Sequence, residues 1–399
     1  MQLEVIGVGG AGCRIADAIL AAEPADHRFV GDAFAFDTDT DGLAALEAIP
    51  ESNRHRYGET IRNGLNGNLQ RGFEVGDASV DELSRHLDDG RPLIADAFLV
   101  VVGLGGATGG GTAPELVATL RAVYDKPVYV LATIPAEREL EPPEDPLVEG
   151  VVPEPESGAE ADAAAEGADG PEDTDDHTRP LAEENAARTL ERLDGLASAV
   201  LCFDNEAWLR TGERLAEGRD RLNRDLATRV AAFFSAGAAS ESDGEVAETV
   251  IDASDVARVL DGGDETLVAT LGYGEQEVES DDGGSRFGLG LFSAESSVDT
   301  ASAVSAVETT ISKALNGKLT LECDRENADA AMVIVGGPPA WLNRKAISDG
   351  RRTVQSRTGS RELLGGDAPR PDGDRVFATI LFAGVEPVER LEAIRRTAG

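Results

Sequence analysis

The sequence predicts an α/β protein in which a mostly parallel sheet carries helices on both faces and is followed by a second, smaller α/β domain. Two continuous apolar runs, residues 97–102 and 128–133, are typical of strands that are buried on both sides. Such strands alternate with segments of helical periodicity, which is the pattern of a parallel sheet with crossover helices. The chain of 399 residues is long enough for two domains.

In chain order, the first predicted element is a strand, Leu3 to Gly9, which ends in glycines and leads into a helix over residues 11–22. A second strand over 33–36 closes at Asp37-Thr38-Asp39. The other predicted elements are helices at 181–196, 220–234, 301–315 and 341–356 and strands at 199–203, 267–271, 287–292, 331–335 and 375–382.

The composition changes between residues 141 and 180. These residues contain 14 acidic residues and one basic residue, Arg179, and they show no apolar periodicity. We interpret them as a disordered acidic insertion that acts as a passive solvated loop. The predicted first domain covers residues 1–236 and ends in a long central helix over 220–236, and the second domain covers 237–399.

The chain is strongly acidic. It has 75 Asp and Glu against 36 Lys and Arg, a net charge of −39, and only four of the basic residues are lysine. Such a surface repels phosphate backbones and anionic lipids, which argues against nucleic-acid and membrane partners. The acids are spread along the chain, and their repulsion is screened at molar salt, where the Debye length is ~3 Å. The composition therefore predicts a protein from a salt-rich cytoplasm, as in a halophile.

Residue types also limit the compartment and the chemistry. The cysteines, Cys13, Cys202 and Cys323, are few and widely spaced, which indicates a reducing compartment. The four histidines show no metal-ligand spacing, so no protein-bound metal site is predicted from them. The first residues lack a signal-peptide pattern, and no apolar run approaches the ~20 residues of a membrane helix. We expect a cytoplasmic protein that does not insert into membranes.

A glycine motif follows the first predicted strand. Gly7-Val8-Gly9-Gly10-Ala11-Gly12 matches G-x-G-x-x-G and opens a helix. Glycine lets the backbone approach phosphate, and the helix N-terminus supplies free N–H groups and the positive end of a dipole. Asp37, at the end of the second strand, is in the position of a ribose ligand, so an NAD-dependent enzyme is one interpretation.

A second glycine run, Gly103 to Gly111, follows the strand over 97–102, and Pro114 with Glu115 is predicted to start the helix behind it. Two glycine turns on one sheet suggest a phosphate tail that is held from two sides, as in a triphosphate. The chain lacks G-x-x-x-x-G-K-[ST], so it is not a P-loop protein. Backbone amides and a metal ion would then have to balance the phosphate charge.

The second run resembles the phosphate-loop signature G-G-G-T-G-[ST]-G of the tubulin/FtsZ superfamily. Residues 202–208, Cys-Phe-Asp-Asn-Glu-Ala-Trp, are similar to its guanine loop. Stretches at 185–188, 246–252 and 336–345 narrow the resemblance to the archaeal CetZ group, over nearly the whole chain except the insertion. The implied fold is a tubulin/FtsZ-like, Rossmann-like GTPase domain, a long central helix and a smaller C-terminal activation domain.

The resemblance implies binding of GTP or GDP with Mg²⁺. The implied phosphate-binding residues are Gly9, Gly10, Ala11, Gly12 and Cys13 in the first turn, Gly67 and Asn68 in a later loop, and Gly105, Gly106, Ala107, Thr108, Gly109, Gly110 and Gly111 in the second. The implied contacts near magnesium and ribose are Asp37, Asp39 and Glu183, with Glu184 as the alternative to Glu183. The implied guanine-reading residues are Asn205 and Asn223, whose side-chain amides both donate and accept hydrogen bonds.

Asp252 and Asp255 are the candidate catalytic residues. Their spacing of three places both carboxylates on one face of a helix, where capping of the helix N-terminus is the alternative or additional role. In the family, the matching loop of one subunit completes the active site of the next, so its acids position the attacking water. A contact of this head-to-tail kind builds filaments.

Three residues depart from the family pattern: Ala107 and Gly110 in the second glycine turn and Val250 in the catalytic loop. A methyl group at residue 107 would crowd the phosphate if the backbone there needs positive φ, and Gly110 lacks a hydroxyl. The predicted function is a polymerising cytoskeletal GTPase involved in cell shape. The alternatives are a weakly hydrolysing GTP-binding regulator that co-assembles with related filaments, and an NAD enzyme, against which Asn205 and Asn223 count.

Overall fold

The computed structural model describes residues 1–59, 61, 64–140, 179–238, 251–263, 265–279 and 298–397. Their strands are β1 (Leu3–Val8), β2 (Val30–Asp37), β3 (Arg54–Arg56), β4 (Ala97–Gly103), β5 (Val128–Ile134), β6 (Ala199–Asp204), β7 (Leu267–Glu277), β8 (Ala330–Gly337), β9 (Glu362–Pro369) and β10 (Arg375–Ala383). Their helices are α1 (Gly9–Ala21), α2 (Thr40–Ala44), α3 (Leu69–Leu87), α4 (Ala107–Val123), α5 (Ala182–Leu193), α6 (Asn205–Trp208), α7 (Leu215–Phe234), α8 (Ala253–Val259), α9 (Thr300–Asn316), α10 (Arg344–Arg357) and α11 (Glu389–Thr397).

The strands form one mixed sheet of ten strands in the order β3-β2-β1-β4-β5-β6-β7-β10-β8-β9. The first six are parallel, which confirms the predicted parallel sheet. The sheet continues into the C-terminal part because Ala199–Leu201 of β6 pairs in parallel with the start of β7. There β10 lies antiparallel between β7 and β8. The domain boundary after residue 236 stays a prediction.

The apolar core lies on both faces of the sheet. Alternate side chains of one strand face opposite sides, so Val100 and Val102 of β4 join one buried cluster and Leu99 and Val101 join the other. All of β1 and nearly all of β4 is buried. This double burial is the reason for the continuous apolar runs in the sequence. None of the helices in the described residues combines the length and apolar character that a membrane crossing requires.

The helix after the second glycine run begins at Ala107, not at Pro114, so that prediction was wrong by seven residues. Three glycines explain the difference. A Cβ at Gly76 of α3 would lie 2.8 Å from Thr112 Cα, and Gly111 lies against the backbone of Gly72. Tertiary packing of α4 against α3 therefore overrides the poor helix propensity of glycine.

Other elements differ from the prediction in extent. The central helix starts at Leu215 rather than residue 220, and α3, β9 and α11 were not predicted. The predicted strand 287–292, Val250 and residues 141–178 of the predicted acidic insertion lie outside the described residues.

Candidate functional site

The two glycine turns meet where the neighbouring strands β1 and β4 end. Gly9 has φ +71°, and a Cβ there would lie 2.7 Å from the Gly109 nitrogen. A Cβ at Gly109 would in turn lie 2.7 Å from the Val8 carbonyl oxygen. Real side chains do not tolerate such distances, so glycine is required on both sides of this contact. The turns predicted separately from the sequence therefore form one backbone surface.

This surface carries two helix N-termini. The residues before α1 and α4, Val8 and Gly106, make no side-chain capping hydrogen bond. The first amides of both helices therefore remain available, and the positive ends of two helix dipoles lie together. A Cβ at Gly106 would meet the Gly103 carbonyl oxygen at 3.6 Å and no other neighbour in the described residues, so this side of the turn is an open cleft. Such a cleft suits an anion.

The other residues of the first turn serve packing beneath the cleft. A Cβ at Gly12 would collide with the Val101 carbonyl oxygen, and a Cβ at Gly103 would lie 2.8 Å from the Ala11 Cβ. Cys13 is buried, and its thiol donates to the Phe36 carbonyl oxygen at 3.4 Å. Burial also raises the pKa of this thiol. The side chain of Cys13 is thus directed into the core, and its backbone is the part that belongs to the turn.

The departure at Ala107 has a structural explanation. Among the described non-glycine residues, positive φ is found at Asn66, so Ala107 does not have the backbone conformation that would bring its methyl group onto a phosphate. The methyl group instead packs with Ile61 and Leu65. The expected crowding at Ala107 therefore does not occur.

The departure at Gly110 is matched by Thr189 on α5. A Cβ at Gly110 would lie 2.5 Å from the Thr189 Oγ1. Thr189 is fully buried, and its hydroxyl donates to the Leu104 carbonyl oxygen at 3.4 Å. The buried Thr189 hydroxyl thus occupies the space that a side chain at residue 110 would need.

The end of β2 brings acidic groups to the cleft. Asp37 is 3% exposed, and burial raises its pKa to about 6. The hydroxyls of Thr38 and Thr108 lie 3.4 Å apart and join this segment to the second turn. Asp39 is exposed and caps α2, where its carboxylate accepts from the Asp41 N–H at 3.1 Å. Asp37 therefore faces the site, whereas Asp39 has a capping role.

Asn185 joins α5 to two of the predicted loops. Its buried side chain donates from Nδ2 to the carbonyl oxygens of Gly67 at 3.0 Å and Gly105 at 3.2 Å. Asn68, next to Gly67, caps α3 by accepting from the Arg71 N–H at 3.0 Å. The family resemblance includes Asn185 but predicts no role for it. The structure shows that it fixes the spacing of the two loops.

Arginines near the first turn were not predicted. Arg14 Nη1 and Asp37 Oδ2 each lie 3.4 Å from the position that a Cβ would take at Gly10. Burial, followed by the charges of Arg219 and Arg179, lowers the pKa of Arg14 to about 10. Arg179 also pairs with Glu139 at 3.9 Å and Arg219 with Asp220 at 3.7 Å. The positive charge of Arg14 close to the first glycine turn favours an anionic ligand.

The predicted guanine-reading residue Asn205 is the first residue of α6 and is half-buried. Asp204 caps this short helix by accepting from the Glu206 N–H at 3.1 Å. Arg221 on α7 donates to the Trp208 carbonyl oxygen at 3.2 Å, which holds α6 against α7. The position of Asn205 therefore depends on its cap and on the long central helix.

The second predicted guanine-reading residue, Asn223, lies on α7 one helical turn after Arg219. Side chains at this spacing share one face of a helix. The charge of Arg219 acts on the pKa of Arg14, which lies on α1 after the first glycine turn. Asn223 is half-buried, and its contact with a guanine stays a prediction.

Glu183 has a partner within the chain. Arg390, near the start of α11, donates Nη1 to Glu183 Oε1 at 2.8 Å, and both side chains are 15% exposed. Glu184 pairs with Arg188 at 2.6 Å. A ribose contact through Glu183 would therefore compete with an internal salt bridge.

Asp252 and Asp255 begin α8 and cap it together. Asp252 Oδ1 accepts from the N–H groups of Ser254 at 2.8 Å and Asp255 at 3.0 Å, and Asp255 Oδ2 accepts from the Asp252 N–H at 3.3 Å. The hydrogen bond from the Ser254 hydroxyl holds the pKa of Asp252 below its ordinary value. The capping role is confirmed for both acids, and the catalytic role stays a prediction.

These acids lie at the opposite end of the sheet from the cleft. Arg258 on α8 pairs at 2.7 Å with Glu362, the first residue of β9, and β9 runs in the same direction as β1, so α8 lies at the end of the sheet where β1 begins. The first turn follows the far end of β1, at Val8, and a strand of six residues spans about 20 Å. Asp252 and the glycine cleft of one molecule are therefore separate.

The Gly110–Thr189 contact gives the first prediction. We expect Gly110→Ser to destabilise the protein by about 1–3 kcal/mol because its Cβ meets the Thr189 hydroxyl. Thr189→Ala should remove part of this penalty in the double variant, and Gly106→Ser, whose Cβ faces the open cleft, is the control. Thermal unfolding at constant salt is recorded for the wild type and the four variants. If the stability changes of Gly110→Ser and Thr189→Ala simply add in the double variant, the predicted contact between these two positions is contradicted.

Comparison with known proteins places this geometry in a family. Residues 2–145 match the family model described as the tubulin/FtsZ family GTPase domain, and residues 212–399 match that of the tubulin-like CetZ C-terminal domain. The tubulin-like protein CetZ5 of Haloferax volcanii is 34% identical over 100% of this chain and 91% of its own length. CetZ1 of the same organism is 31% identical over 100% and 92%.

Solved structures agree with this match. The GDP-bound monomer of CetZ1 from Haloferax volcanii has a TM-score of 0.77 at 29% identity and is covered over 98% of its length, with 100% of this chain. The GTPgS-bound protofilament of CetZ2 from the same organism has a TM-score of 0.75 at 29% identity, with 100% and 97% covered. The shared fold, the two matching domain models and the full-length relatives agree, and the chain belongs to the CetZ family of tubulin-like proteins.

Proposed function

We propose that the chain is a cytoskeletal GTPase that binds GTP or GDP in the glycine cleft, assembles head-to-tail into filaments and contributes to the control of cell shape. The observation that carries this proposal is the separation of the cleft and the acid pair Asp252 and Asp255 on opposite ends of one sheet. A second copy stacked on the first would bring its acids to the cleft. The solved structures of a GDP-bound CetZ1 monomer and of a GTPgS-bound CetZ2 protofilament support the proposal.

The cleft has the chemistry of a phosphate site. Two uncapped helix N-termini and a nearby cluster of arginines offset the charge of an anion, and Gly106 leaves room for it. Amides that are fixed before the ligand arrives stabilise developing charge without reorganisation. The half-buried Asn205 and Asn223 supply donors and acceptors for a guanine edge. This arrangement suits a nucleoside triphosphate.

The proposed nucleotide binds together with Mg²⁺. In proteins, Mg²⁺ is held by phosphates, water and one or two carboxylates. Asp37 meets this requirement, since its Oδ2 lies 3.4 Å from the position of a Cβ at Gly10, inside the cleft. Asp39 meets it less well because its carboxylate caps α2. Bound Mg²⁺ would supply positive charge next to the phosphate oxygens.

At the other end of the molecule, Asp252 stays ionised because Ser254 holds its pKa low. A carboxylate in this state accepts a hydrogen bond from water and orients it toward a phosphate of the next subunit. Asp252 is exposed and Asp255 is half-buried, so both are accessible to a neighbour.

One observation favours the alternative, a GTP-binding regulator that hydrolyses little and co-assembles with related filaments. Oxygens of both Asp252 and Asp255 are already engaged in the capping box. Capping oxygens are less available to orient water. Turnover measured against protein concentration separates the two functions.

The end of the sheet near Asp252 also exposes large apolar side chains. Leu93 and Ile94, in the loop before β4, are 80% and 70% exposed, and Val123 at the end of α4 is 60% exposed. Lys126 donates to the Leu93 carbonyl oxygen at 2.7 Å and holds this loop. We call Leu93, Ile94 and Val123 the basal patch and assign it to the head-to-tail contact. High salt strengthens apolar association while it screens charge repulsion.

The acid pair gives the second prediction. Asp252→Ala and Asp255→Ala should each reduce GTP turnover at assembling concentrations by about a hundredfold or more, because the water loses its orienting carboxylate. Asp299→Ala is the matched control, since Asp299 caps α9 by accepting from the Ser302 N–H. Loss of either N-cap costs about 1 kcal/mol of stability. If both acid variants turn over GTP as slowly as the wild type, the acids do not contribute to hydrolysis, and this result would favour the weakly hydrolysing regulator.

The basal patch gives the third prediction. Ile94→Asp should raise the protein concentration needed for assembly about tenfold or more, because a charge enters an apolar contact. Sedimentation with GTP in multimolar KCl measures this concentration, and binding of nucleotide to the monomer should stay unchanged. Ala78→Asp is the control, because Ala78 is exposed on α3 and this substitution adds the same charge outside the basal patch. If Ile94→Asp assembles at the same protein concentration as the wild type, the basal patch is not part of the head-to-tail contact.

A further inference from the structure

The C-terminal helix α11 reaches the cleft through one side chain. Arg390 is 15% exposed, and its guanidinium donates to the Pro135 carbonyl oxygen at 2.9 Å and to Glu183 Oε1 at 2.8 Å. It also lies 3.4 Å from Glu137 Oε1 and 3.8 Å from Asp204 Oδ1. One largely buried cation therefore joins four positions that belong to three separate segments of the chain.

Two of these segments form a wall of the second glycine turn. A Cβ at Gly105 would lie 2.9 Å from the Ala182 Cβ and 3.2 Å from the Pro135 Cβ. Pro135 follows β5, and Ala182 precedes Glu183 in the first turn of α5. Both residues next to Gly105 are thus held by Arg390, directly or through the adjoining residue.

The third segment controls the guanine loop. Asp204 accepts from the Glu206 N–H and caps α6, whose first residue is Asn205. The charge of Arg390 lowers the pKa of Asp204, against the larger effect of burial. A carboxylate that stays ionised is the better cap. The charge of Arg390 therefore supports the residue that orients Asn205.

Removal of the arginine would leave the carboxylates of Glu183 and Asp204, which are 15% and 10% exposed, without this cation. Breaking a buried ion pair by deleting one partner is costly because the remaining charge is desolvated and unpaired. The segments would separate or take up water, and both the phosphate and the guanine contacts would shift. Because the arginine is largely buried, high salt would not replace it fully.

We propose that Arg390 is a positioning residue that locks the phosphate turn and the guanine loop to α11, so that the C-terminal helix sets both nucleotide affinity and base discrimination. This inference rests on the proposed nucleotide-binding function. It assigns Glu183 a role as the partner of Arg390 rather than as a ribose ligand.

The test uses the full chain below its assembly concentration. Dissociation constants for GTP and for ITP, which lacks the exocyclic amino group of guanine, are measured for wild type, Arg390→Ala and Arg390→Lys. Arg395→Ala is the matched control, because Arg395 on the same helix forms an exposed pair with Glu386 at 2.7 Å. Thermal unfolding of each variant is recorded in parallel.

We expect Arg390→Ala to raise the dissociation constant for GTP about tenfold or more. The ITP/GTP ratio, which is the dissociation constant for ITP divided by that for GTP, should fall toward one. Arg390→Lys should lie between, because lysine keeps the charge but loses the planar fork of donors. Arg395→Ala should behave as wild type. If Arg390→Ala does not fold, the ITP/GTP ratio of Arg390→Lys decides.

An unchanged ITP/GTP ratio in the Arg390 variants would overturn the inference, because loss of stability alone does not alter base discrimination. The same change in Arg395→Ala would also overturn it. Failure of the wild-type protein to bind GTP is a different result, since it would overturn the proposed function itself.

Discussion

The backbone contact between Gly9 and Gly109 is the constraint on which the rest of the site depends. It brings the ends of β1 and β4 so close that any side chain at either position would collide with the opposite turn. The contact places two helix N-termini on one surface. The surrounding groups keep that surface in place: Asn185 holds the neighbouring loops, Thr189 fills the space beside Gly110, and the first turn of α5 packs on Gly105.

The same sheet that creates the cleft also separates it from the acid pair. Because the strands β1 to β6 are parallel, both glycine turns lie at one end of this part of the sheet, and α8 lies near the other end. Under the proposed function, stacked copies would complete the site that a single folded chain leaves incomplete. The net charge of −39 opposes stacking in dilute buffer. Molar salt reduces the range of that repulsion to ~3 Å, and in the proposed contact the exposed side chains Leu93 and Ile94 would then associate.

Much of the fold could be predicted from the sequence because local patterns determine it. Continuous apolar runs identify strands buried on both faces, and the glycine turns follow them directly. The start of α4 could not be predicted, because glycine and proline are poor helix formers and close packing on Gly72 and Gly76 overrides that preference. The role of Arg390 could not be predicted either, since its partners Glu183 and Pro135 are 207 and 255 residues away in the chain.

For the site, the glycine turns could be predicted from their own motifs, and the family resemblance implied the two asparagines, whose guanine-reading role stays a prediction. Composition gave no signal for Arg14 or Arg219. Arginine is the usual basic residue of this chain, so its presence near a glycine turn does not stand out. The capping of α8 by Asp252 and Asp255 follows from their spacing, but the sequence alone does not separate capping from catalysis.

The most direct test of a site shared between subunits is complementation between two inactive variants. Gly106→Asp places a favourable N-cap on α4 and fills the cleft, so it should fold but not bind GTP. Asp255→Ala keeps the cleft and loses the acid. Each alone should be inactive, and an equimolar mixture in multimolar KCl with Mg²⁺ should recover about a quarter of wild-type turnover, because about one contact in four pairs an intact cleft with an intact acid. No recovery on mixing would contradict the shared site.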